Sequence, residues 1–479
     1  MRSALFSAAL CALTCYAPGT GKPVKILLQS HGFPPHGRGG TETYTADLAR
    51  ALAARGHAVD VLATRKEISR ADLSWVVREE HGYRVHELIN NLFHRDWSET
   101  WSHARIEALY AAKLEQLAPE RVHIQHLLHW SAGCVELAAR HAPVYFTLHD
   151  YWLRCPRFGQ RRRPDGQLCE TIEPAQCGRC LIGFPFAQSD LQRRVGKTLA
   201  GLRSGTGLDL GPLARKLAPR PSPAVGSEAT QPAPDPELVS MVTTREQSLR
   251  ERTVPFVRRF LAPSRFLKAR FESEWNMAAD HCRLLPFGLD IPPQARAVRR
   301  LGTRVRIGFL GARIEAKGVH VLLEAWGGID KELRERGELC IFGPADHEPA
   351  YQQYLEPLAA RVGAQLCGRV EREQLFETLG GLDLLVVPSL WWENAPLVLL
   401  EARAARLPVL ASACGALPEW IEEGRAGWLF PTGDVQALSA QLACFLRDPA
   451  QLESARTRIV APESRTSHLE ALEALYAEG

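Results

Sequence analysis

Two carboxylates, Glu393 and Glu401, stand in one segment whose pattern could support sugar chemistry. Glu393 follows an apolar, strand-like run at 382–388, and Glu401 lies in a helix-like run that begins at Leu397. In an open α/β sheet, ligands bind in the crevice outside the carboxyl ends of the strands. We therefore expect both carboxylates to hold hydroxyls of a sugar and a ribose, without binding a metal.

Two cations, Arg313 and Lys317, lie in the loop after another strand-like run at 305–311. Cations in such a loop can neutralise a diphosphate as it leaves. Neither these residues nor the two glutamates are spaced as a metal site. The sequence therefore predicts that protein cations, and no divalent metal, stabilise the leaving group.

A glycine-rich loop at 31–40 follows the first strand-like run and precedes a helix-like run from Thr41 to about Arg55. Gly39 and Gly40 would let the backbone approach a phosphate at the start of that helix. The loop lacks G-x-G-x-x-G, which disfavours a nicotinamide dinucleotide. The alternative is that the glycines serve only the tight turn.

His149 stands where the strand-like run 144–148 ends. At that end of a strand an imidazole can donate to, or orient, a sugar hydroxyl. The alternative is a packed, hydrogen-bonded histidine, because histidines are often partly buried for structural reasons.

A loop of four cysteines follows and is poor in residues that could form a core. Four thiolates from one loop suit a tetrahedral structural zinc, and they would leave no open position for catalysis. Two disulfides or four free thiols are the alternatives. The predicted zinc ligands are Cys155, Cys169, Cys177 and Cys180.

Strand-like and helix-like runs alternate along the chain, which predicts an α/β protein with two Rossmann-like parallel-sheet domains facing across a cleft. At 479 residues the chain is too long for one ordinary core. The expected organisation is an N-terminal extension at 1–21, a Rossmann-like domain at 22–290 with a cysteine loop (155–180) and an insertion (186–255), a second Rossmann-like domain at 291–462, and a C-terminal helix at 463–479 that packs back on the first domain.

Composition and net charge limit the classes of partner that the chain is expected to bind. A net charge of +4 gives no argument for nucleic acid, and the sequence has no apolar run long enough to span a membrane. Residues 1–20 have features of a signal peptide, but we favour a short extension because the rest indicates an enzyme that uses a cytosolic activated donor. The basic insertion is either a surface that meets an anionic membrane or a solvated segment.

Together these motifs resemble retaining glycosyltransferases of the GT-B fold, family 4 (glycosyltransferase group 1). The resemblance rests on Gly39–Glu42, His149-Asp150, Lys317-Gly318 and the segment 393–401, with support from Gly427–Pro431. It covers the chain from about residue 25 to residue 430, and it implies that 22–290 is the acceptor-side domain and 291–462 the nucleotide-sugar donor domain. It implies transfer of a hexose-type sugar from a UDP- or GDP-sugar to a saccharide or lipid-linked acceptor, in cell-surface polysaccharide biosynthesis.

The resemblance also implies a role for each residue. His149 contacts the transferred sugar, Lys317 and Arg313 meet the diphosphate, and Glu393 holds sugar hydroxyls. The rest of the implied donor site is the backbone of Asn394, Ala395 and Pro396 near the sugar or phosphate, Leu397 and Val398 near the nucleotide, Glu401 on the ribose, and Gly39 and Gly40 at the phosphates. No cofactor is required, and the implied location is the cytoplasm, including the inner face of the cell membrane.

The chain departs from the family pattern at two places. Ala312 stands where many relatives have arginine, and Asn394-Ala395-Pro396 replaces a Gly-Phe-Gly sequence. Two other functions stay open at this point. One is a nucleotide-sugar epimerase or hydrolase on the same fold, and the other is a non-catalytic partner that binds nucleotide sugars.

Overall fold

The computed structural model describes residues 22–37, 39–182, 233–292, 302–421 and 427–478, with isolated positions at 184, 194–196, 198, 201, 206 and 295. The predicted N-terminal extension at 1–21 lies outside the described residues, as does most of the predicted insertion before residue 233.

The first sheet forms around a short apolar strand near the start of the chain. Its strands are β1 Lys25–Gln29, β2 Ala58–Arg65, β3 Trp75–Glu80, β4 Tyr83–Ile89, β5 Arg121–Ile124, β6 Val144–Thr147, β7 Arg259–Ala262 and β8 Cys282–Leu284. Their order is β3-β4-β2-β1-β5-β6-β7-β8. All neighbours pair in parallel except β3 and β4, which are antiparallel. Ile26, Leu27 and Leu28 of β1 are buried, as expected for a strand that is covered on both faces.

Helices cover this sheet and connect its strands. They are α1 Gly40–Ala54, α2 Ala104–Leu117, α3 Gly133–Ala139, α4 Pro174–Leu181, α5 Pro236–Thr253 and α6 Arg265–Trp275. Side chains cap several of them at the N-terminus: Asp235 accepts from two amides of α5, and Ser264 accepts from Leu267 at α6. Helix α5 lies in the predicted insertion, yet it buries Val242 and Leu249 in the core of this domain.

The second sheet is parallel throughout. Its strands are β9 Val305–Leu310, β10 Gly337–Phe342, β11 Gln365–Cys367, β12 Leu384–Val387, β13 Val409–Ser412 and β14 Gly427–Phe430, in the order β11-β10-β9-β12-β13-β14. The helices are α7 Val319–Gly327, α8 Lys331–Arg334, α9 Pro349–Val362, α10 Leu375–Gly380, α11 Leu397–Ala404, α12 Leu417–Trp420, α13 Val435–Arg447 and α14 Ala450–Arg458. Short 3₁₀ turns form at Trp97–Thr100, Glu315–Lys317 and Arg372–Gln374.

Each sheet has a point where the strand order reverses. In the first sheet β1 lies between β2 and β5, and in the second β9 lies between β10 and β12. The loops that leave neighbouring strands at such a point separate and open a crevice. In the second sheet those loops carry Lys317 and Glu393, and in the first they carry the glycine-rich segment and the residues after β5.

The last helix, α15 Arg465–Ala477, lies against the first domain. The hydroxyl of Tyr476 is 2.6 Å from His123 Nδ1, and His468 Nε2 is 2.7 Å from the hydroxyl of Tyr44. The guanidinium of Arg55 donates twice to Glu473, at 2.7 and 2.8 Å. Among the described residues, no helix is both long enough and apolar enough to cross a membrane.

The hairpin β3-β4 was absent from the sequence analysis. Its two-residue turn, His81-Gly82, has φ values of 43° and 84°, which are typical of the tight turns that join antiparallel strands. The hairpin adds an antiparallel edge to a sheet that the sequence predicts to be parallel.

Candidate active site

The loops after β9 and β12 pack directly on each other. Gly318 has φ of +69°, and a Cβ at this position would lie 1.9 Å from the carbonyl oxygen of Pro388. The amide of Leu390 donates to Ala316 O at 2.8 Å. Only glycine accommodates that approach, so the Lys317-Gly318 pair fixes one loop against the other.

Glu393 is buried, and three groups donate to the same carboxylate oxygen. Its Oε1 accepts from Lys317 Nζ at 2.5 Å, from Ser389 Oγ at 2.7 Å and from Trp391 Nε1 at 2.8 Å. Burial opposes ionisation, but Lys317 and these hydrogen bonds outweigh it, so the pKa of Glu393 lies below its usual value. The result is an ionised, fixed carboxylate whose Oε2 none of these three groups contacts.

The backbone at Glu393 is fixed by the loop after β13. The amide of Ala416 donates to Glu393 O at 2.8 Å. Gly415 has φ of +61°, and a Cβ there would lie 2.6 Å from that same carbonyl oxygen. Next in the chain, Asn394 Nδ2 donates to His149 O of the first domain at 3.0 Å. The Oδ1 of Asn394 is buried and has no hydrogen-bond partner, which leaves an acceptor beside Glu393.

Helix α11 places Glu401. Pro396 precedes the helix as its N-cap, Leu397 and Val398 form its first turn, and Glu401 is one turn further on. Burial raises the pKa of Glu401 to about 7, against the lowering effect of Arg372. The side chains of Ala395 and Leu397 pack against the apolar cluster that includes α1 and α15.

Arg313 and Lys317 have different surroundings, although they share one loop. Lys317 is paired with Glu393 and lies 5.2 Å from the ring of Trp391. Arg313 is buried, its amide donates to Pro344 O at 3.1 Å, and its side-chain Nε has no hydrogen-bond partner. The contacts within the described residues thus bring Lys317, but not Arg313, to the Glu393 carboxylate.

His149 lies at the end of β6 and faces aromatic neighbours. Its ring centroid is 5.2 Å from that of Tyr44 and 5.4 Å from that of Phe287, and its Nε2 is 3.0 Å from Gln125 Oε1. Burial, with a contribution from the charge of His126, lowers the pKa of His149 to about 3. The imidazole is therefore neutral near pH 7 and can act through hydrogen bonds, but not as a cation.

The structure also brings together two histidine–carboxylate pairs that the sequence analysis missed. His31 Nε2 is 3.3 Å from Glu42 Oε1, and His126 Nε2 is 3.0 Å from Asp150 Oδ2. The rings of His31 and His126 are 4.5 Å apart. His31 follows β1 and His126 follows β5, the two strands at the reversal point of the first sheet. That position in the sequence could have indicated that both histidines line the site.

The glycine loop encloses one of these carboxylates. A Cβ at Gly39 would lie 2.6 Å from Glu42 Oε2, and one at Gly37 would lie 2.9 Å from Glu42 Oε1. Although burial opposes ionisation, the hydrogen bond and charge of His31 lower the pKa of Glu42 to about 2. A Cβ at Gly40 would meet no atom within 4 Å. Gly39 therefore makes room for a carboxylate of the protein, and Gly40 alone faces open space.

The four loop cysteines are close to one another, without disulfides. Burial raises the pKa of Cys177, and the thiols of Cys155, Cys169 and Cys180 add to this effect. Within the described part of the chain, however, the one set of three ligand atoms all within 4.8 Å of one another is that of His94, Glu99 and His103. The thiol set suits zinc by its chemistry, and the zinc site stays a prediction.

Comparison with known proteins identifies the class. Sucrose-phosphate synthase from Thermosynechococcus elongatus superposes with a TM-score of 0.63 at 19% identity, covering 95% of this chain and 98% of that one. Anabaena HepE in complex with UDP-glucose superposes with a TM-score of 0.59 at 14% identity, covering 95% and 100%. The fold is GT-B, as the sequence analysis predicted.

Two family models match the two domains. The model described as Glycosyltransferase Family 4 matches residues 38–180, and the one described as Glycosyl transferases group 1 matches residues 304–448. The chain thus belongs to the GT-B glycosyltransferases of family 4 and group 1, which confirms the family that the sequence analysis indicated.

Curated relatives match over shorter segments. The putative colanic acid biosynthesis glycosyltransferase WcaL of Salmonella typhimurium is 30% identical over 172 residues, 34% of this chain and 41% of the relative. The amylovoran biosynthesis glycosyltransferase AmsK of Erwinia amylovora is 33% identical over 146 residues, which are 29% of this chain and 35% of the relative. The chain thus matches about two fifths of the length of these relatives.

Proposed function

We propose that this chain transfers a hexose-type sugar from a UDP- or GDP-sugar to a saccharide or lipid-linked acceptor, with retention of the anomeric configuration. The observation that carries the proposal is the Lys317–Glu393 pair at the strand-order reversal of the second sheet. An ammonium and an ionised carboxylate there suit a donor that carries both a diphosphate and sugar hydroxyls.

In the proposed reaction the bond between the anomeric carbon and the diphosphate breaks, and a bond to the acceptor oxygen forms on the same face. The proton of the acceptor hydroxyl passes to the leaving phosphate oxygen. The ammonium of Lys317 meets the charge that develops on that phosphate, while Glu393 and Asn394 Oδ1 accept from sugar hydroxyls. Neutral His149 orients the transferred sugar from the opposite wall.

Glu401 binds the ribose in this proposal. A carboxylate can accept from both ribose hydroxyls when it is ionised, and its place one turn into α11 leaves the first turn, with Leu397 and Val398, near the nucleotide. Gly40 is the residue of the glycine loop that has room for a phosphate.

The biological setting is part of the same proposal. The names of WcaL and AmsK concern the biosynthesis of colanic acid and of amylovoran, and HepE was solved in complex with UDP-glucose. These names support a nucleotide-sugar donor and an acceptor in polysaccharide assembly. We place the reaction in the cytoplasm, where nucleotide sugars are available, with contact to the inner face of the membrane when the acceptor is lipid-linked.

The test incubates purified protein with a panel of UDP- and GDP-sugars, with and without saccharide acceptors, and analyses the products. The proposal expects acceptor-dependent release of nucleotide diphosphate and a product with the donor's anomeric configuration. The proposal would be wrong if the product were an epimerised nucleotide sugar, or if free sugar formed at the same rate without acceptor. It would also be wrong if the donor bound without any turnover. Glu393→Gln should abolish transfer, whereas Glu356→Gln, an exposed carboxylate on α9, should not.

A further inference from the structure

Two adjacent tryptophans in the donor loop have opposite surroundings. Trp391 donates to Glu393 and lies beside Lys317, within the second domain. Trp392 is 7% exposed and inserts its ring into the first domain. Four side chains of that domain surround the ring, and we call them the tryptophan cage: Tyr151, Arg161, Phe266 and Arg270.

The cage combines edge-on aromatic rings with two guanidinium groups. The rings of Tyr151 and Phe266 meet Trp392 edge-on, at centroid distances of 5.7 and 5.2 Å. The Cζ atoms of Arg161 and Arg270 lie 4.8 and 4.3 Å from the centroid of the Trp392 ring. A guanidinium over an indole is the most favourable arrangement of this kind, and burial strengthens it.

The two arginines of the cage are held in place by carboxylates of the first domain. Arg161 is fully buried, its guanidinium is paired with Glu274, and its Cζ also lies 5.2 Å from the Tyr151 ring. Arg270 donates to Glu170 Oε2 at 3.0 Å. These arginine contacts do not involve Trp392, and the amide of Phe266 also donates to Glu419 of the second domain.

Contacts with the first domain therefore flank Glu393 on both sides. Trp392 lies in the cage, and Asn394 Nδ2 donates to the carbonyl oxygen of His149 at 3.0 Å. A further contact, Arg162 Nη2 to Glu315 Oε1 at 2.9 Å, reaches the turn that carries Lys317. The first domain thus contacts both donor loops at residues adjacent to the proposed donor groups.

From this arrangement we propose that Trp392 and its cage are positioning residues for the donor. Docking of Trp392 fixes the backbone before Glu393, the Asn394 contact fixes it after, and together they keep the carboxylate in the orientation that receives the sugar. The proposal rests on the proposed function, because it concerns the same donor site. It adds that donor affinity depends on residues of the acceptor-side domain that do not touch the donor.

The test compares Trp392→Phe, Trp392→Leu and Arg270→Gln with wild type. Donor Kd is measured by calorimetry, and donor KM and kcat by steady-state kinetics. Loss of the indole face or of one guanidinium should raise donor Kd and KM by about tenfold for Trp392→Leu and about threefold for Arg270→Gln. Trp392→Phe keeps an aromatic ring and should restore part of the affinity lost in Trp392→Leu.

Arg252→Gln is the matched control. The side chains of Arg252 and Arg270 are both 29% exposed and both pair with a glutamate, but Arg252 pairs with Glu107, away from the cage. Its donor Kd should equal that of wild type. If Trp392→Leu fails to fold, the donor Kd of Arg270→Gln tests the positioning role instead.

The possible failures can be told apart. If wild type binds no nucleotide sugar, the proposed function is wrong. If wild type binds a donor and the folded cage variants bind it with unchanged Kd, the proposed function stands and the positioning role is wrong. A purely structural role would lower the melting temperature without changing Kd, and that result would also overturn the proposal.

Discussion

The two walls of the candidate site are built in different ways. On the donor wall, Lys317, Ser389, Trp391 and Glu393 come from two short loops of one sheet, and the charges pair with each other. On the opposite wall, His31, His126 and His149 come from three loops, and their partners lie on other elements. The donor wall thus comes from two loops of the second sheet, although its central pair is 76 residues apart in the chain, whereas the facing wall draws on three loops of the first sheet and on α1.

The two walls also differ in their electrostatic properties. The donor wall holds an ammonium for an anionic donor, next to an ionised Glu393. The facing wall holds ionised Glu42 and Asp150, whose pKa values lie below their usual ranges because of neighbouring histidines, against the effect of burial. Carboxylates there suit an acceptor rich in hydroxyls better than a second phosphate.

The largest expected effect concerns the donor wall. Lys317→Ala should lower kcat/KM for transfer by several hundredfold, roughly the loss seen when one donor to a developing anion is removed. Loss of the ammonium also leaves the buried Glu393 carboxylate unpaired. Steady-state kinetics checks this prediction, with Lys331→Ala on the exposed helix α8 as the control. A value of kcat/KM within a few fold of wild type would show that the donor wall does not act through this cation.

The next effect concerns the support of the tryptophan cage by the first domain. Glu274 binds both Arg154 and Arg161, two buried guanidinium groups. Glu274→Gln should lower the free energy of unfolding by about 3 kcal/mol, because the fully buried Arg161 loses its carboxylate partner, whereas Arg154 keeps Glu246. Urea unfolding measures the change. Glu272→Gln, whose partner Lys268 is partly exposed, should cost less than about 1 kcal/mol; equal losses would contradict the assigned role of Glu274.

A smaller effect concerns Glu401. Its pKa is about 7 in the folded chain against an ordinary value of 4.5. As pH rises, this carboxyl loses its proton in the unfolded chain before it does so in the folded chain. The free energy of unfolding therefore falls between pH 4.5 and about pH 7, and above that the loss of stability is complete. Glu401→Gln should raise the free energy of unfolding at pH 8 by about 2 kcal/mol.

The same carboxylate predicts a pH dependence of donor binding. The ionised form accepts from two ribose hydroxyls, so the donor Kd of wild type should fall as pH rises from 6 to 8. In Glu401→Gln this dependence should be lost, because the amide does not titrate. A wild-type Kd that rises over this range, or a dependence that persists in the variant, would contradict the ribose role.

The smallest expected effect belongs to the cysteine loop. If the four thiols hold zinc, the protein as purified should contain about one zinc per chain. Chelation should lower the free energy of unfolding by about 1 kcal/mol, or about 2 to 4 °C in Tm, because Arg161 and Glu274 also hold this loop. Cys177→Ser should lose the metal. A metal-free protein with unchanged Tm would leave the loop as a set of free thiols.

The sequence predicts the proposed donor groups better than the contacts that support them. Glu393, Glu401 and Lys317 could be placed because each lies within a few residues of an apolar run that marks a strand or helix. The tryptophan cage could not, because Arg161 and Arg270 are distant from Trp392 in the chain and share no periodic pattern with it. The pairing of Glu42 with the glycine loop was missed because a glycine has no side chain that indicates its neighbour.

The most direct test of the account is calorimetric titration of the wild-type chain with UDP- and GDP-sugars, repeated with Glu393→Gln and Glu401→Gln. One nucleotide class is expected to bind at a single site per chain. Glu393→Gln should weaken the complete nucleotide sugar but not the free nucleoside diphosphate, and Glu401→Gln should weaken both. Absence of binding by every nucleotide sugar, or equal affinity in wild type and both variants, would contradict the central claim that these two carboxylates hold one donor.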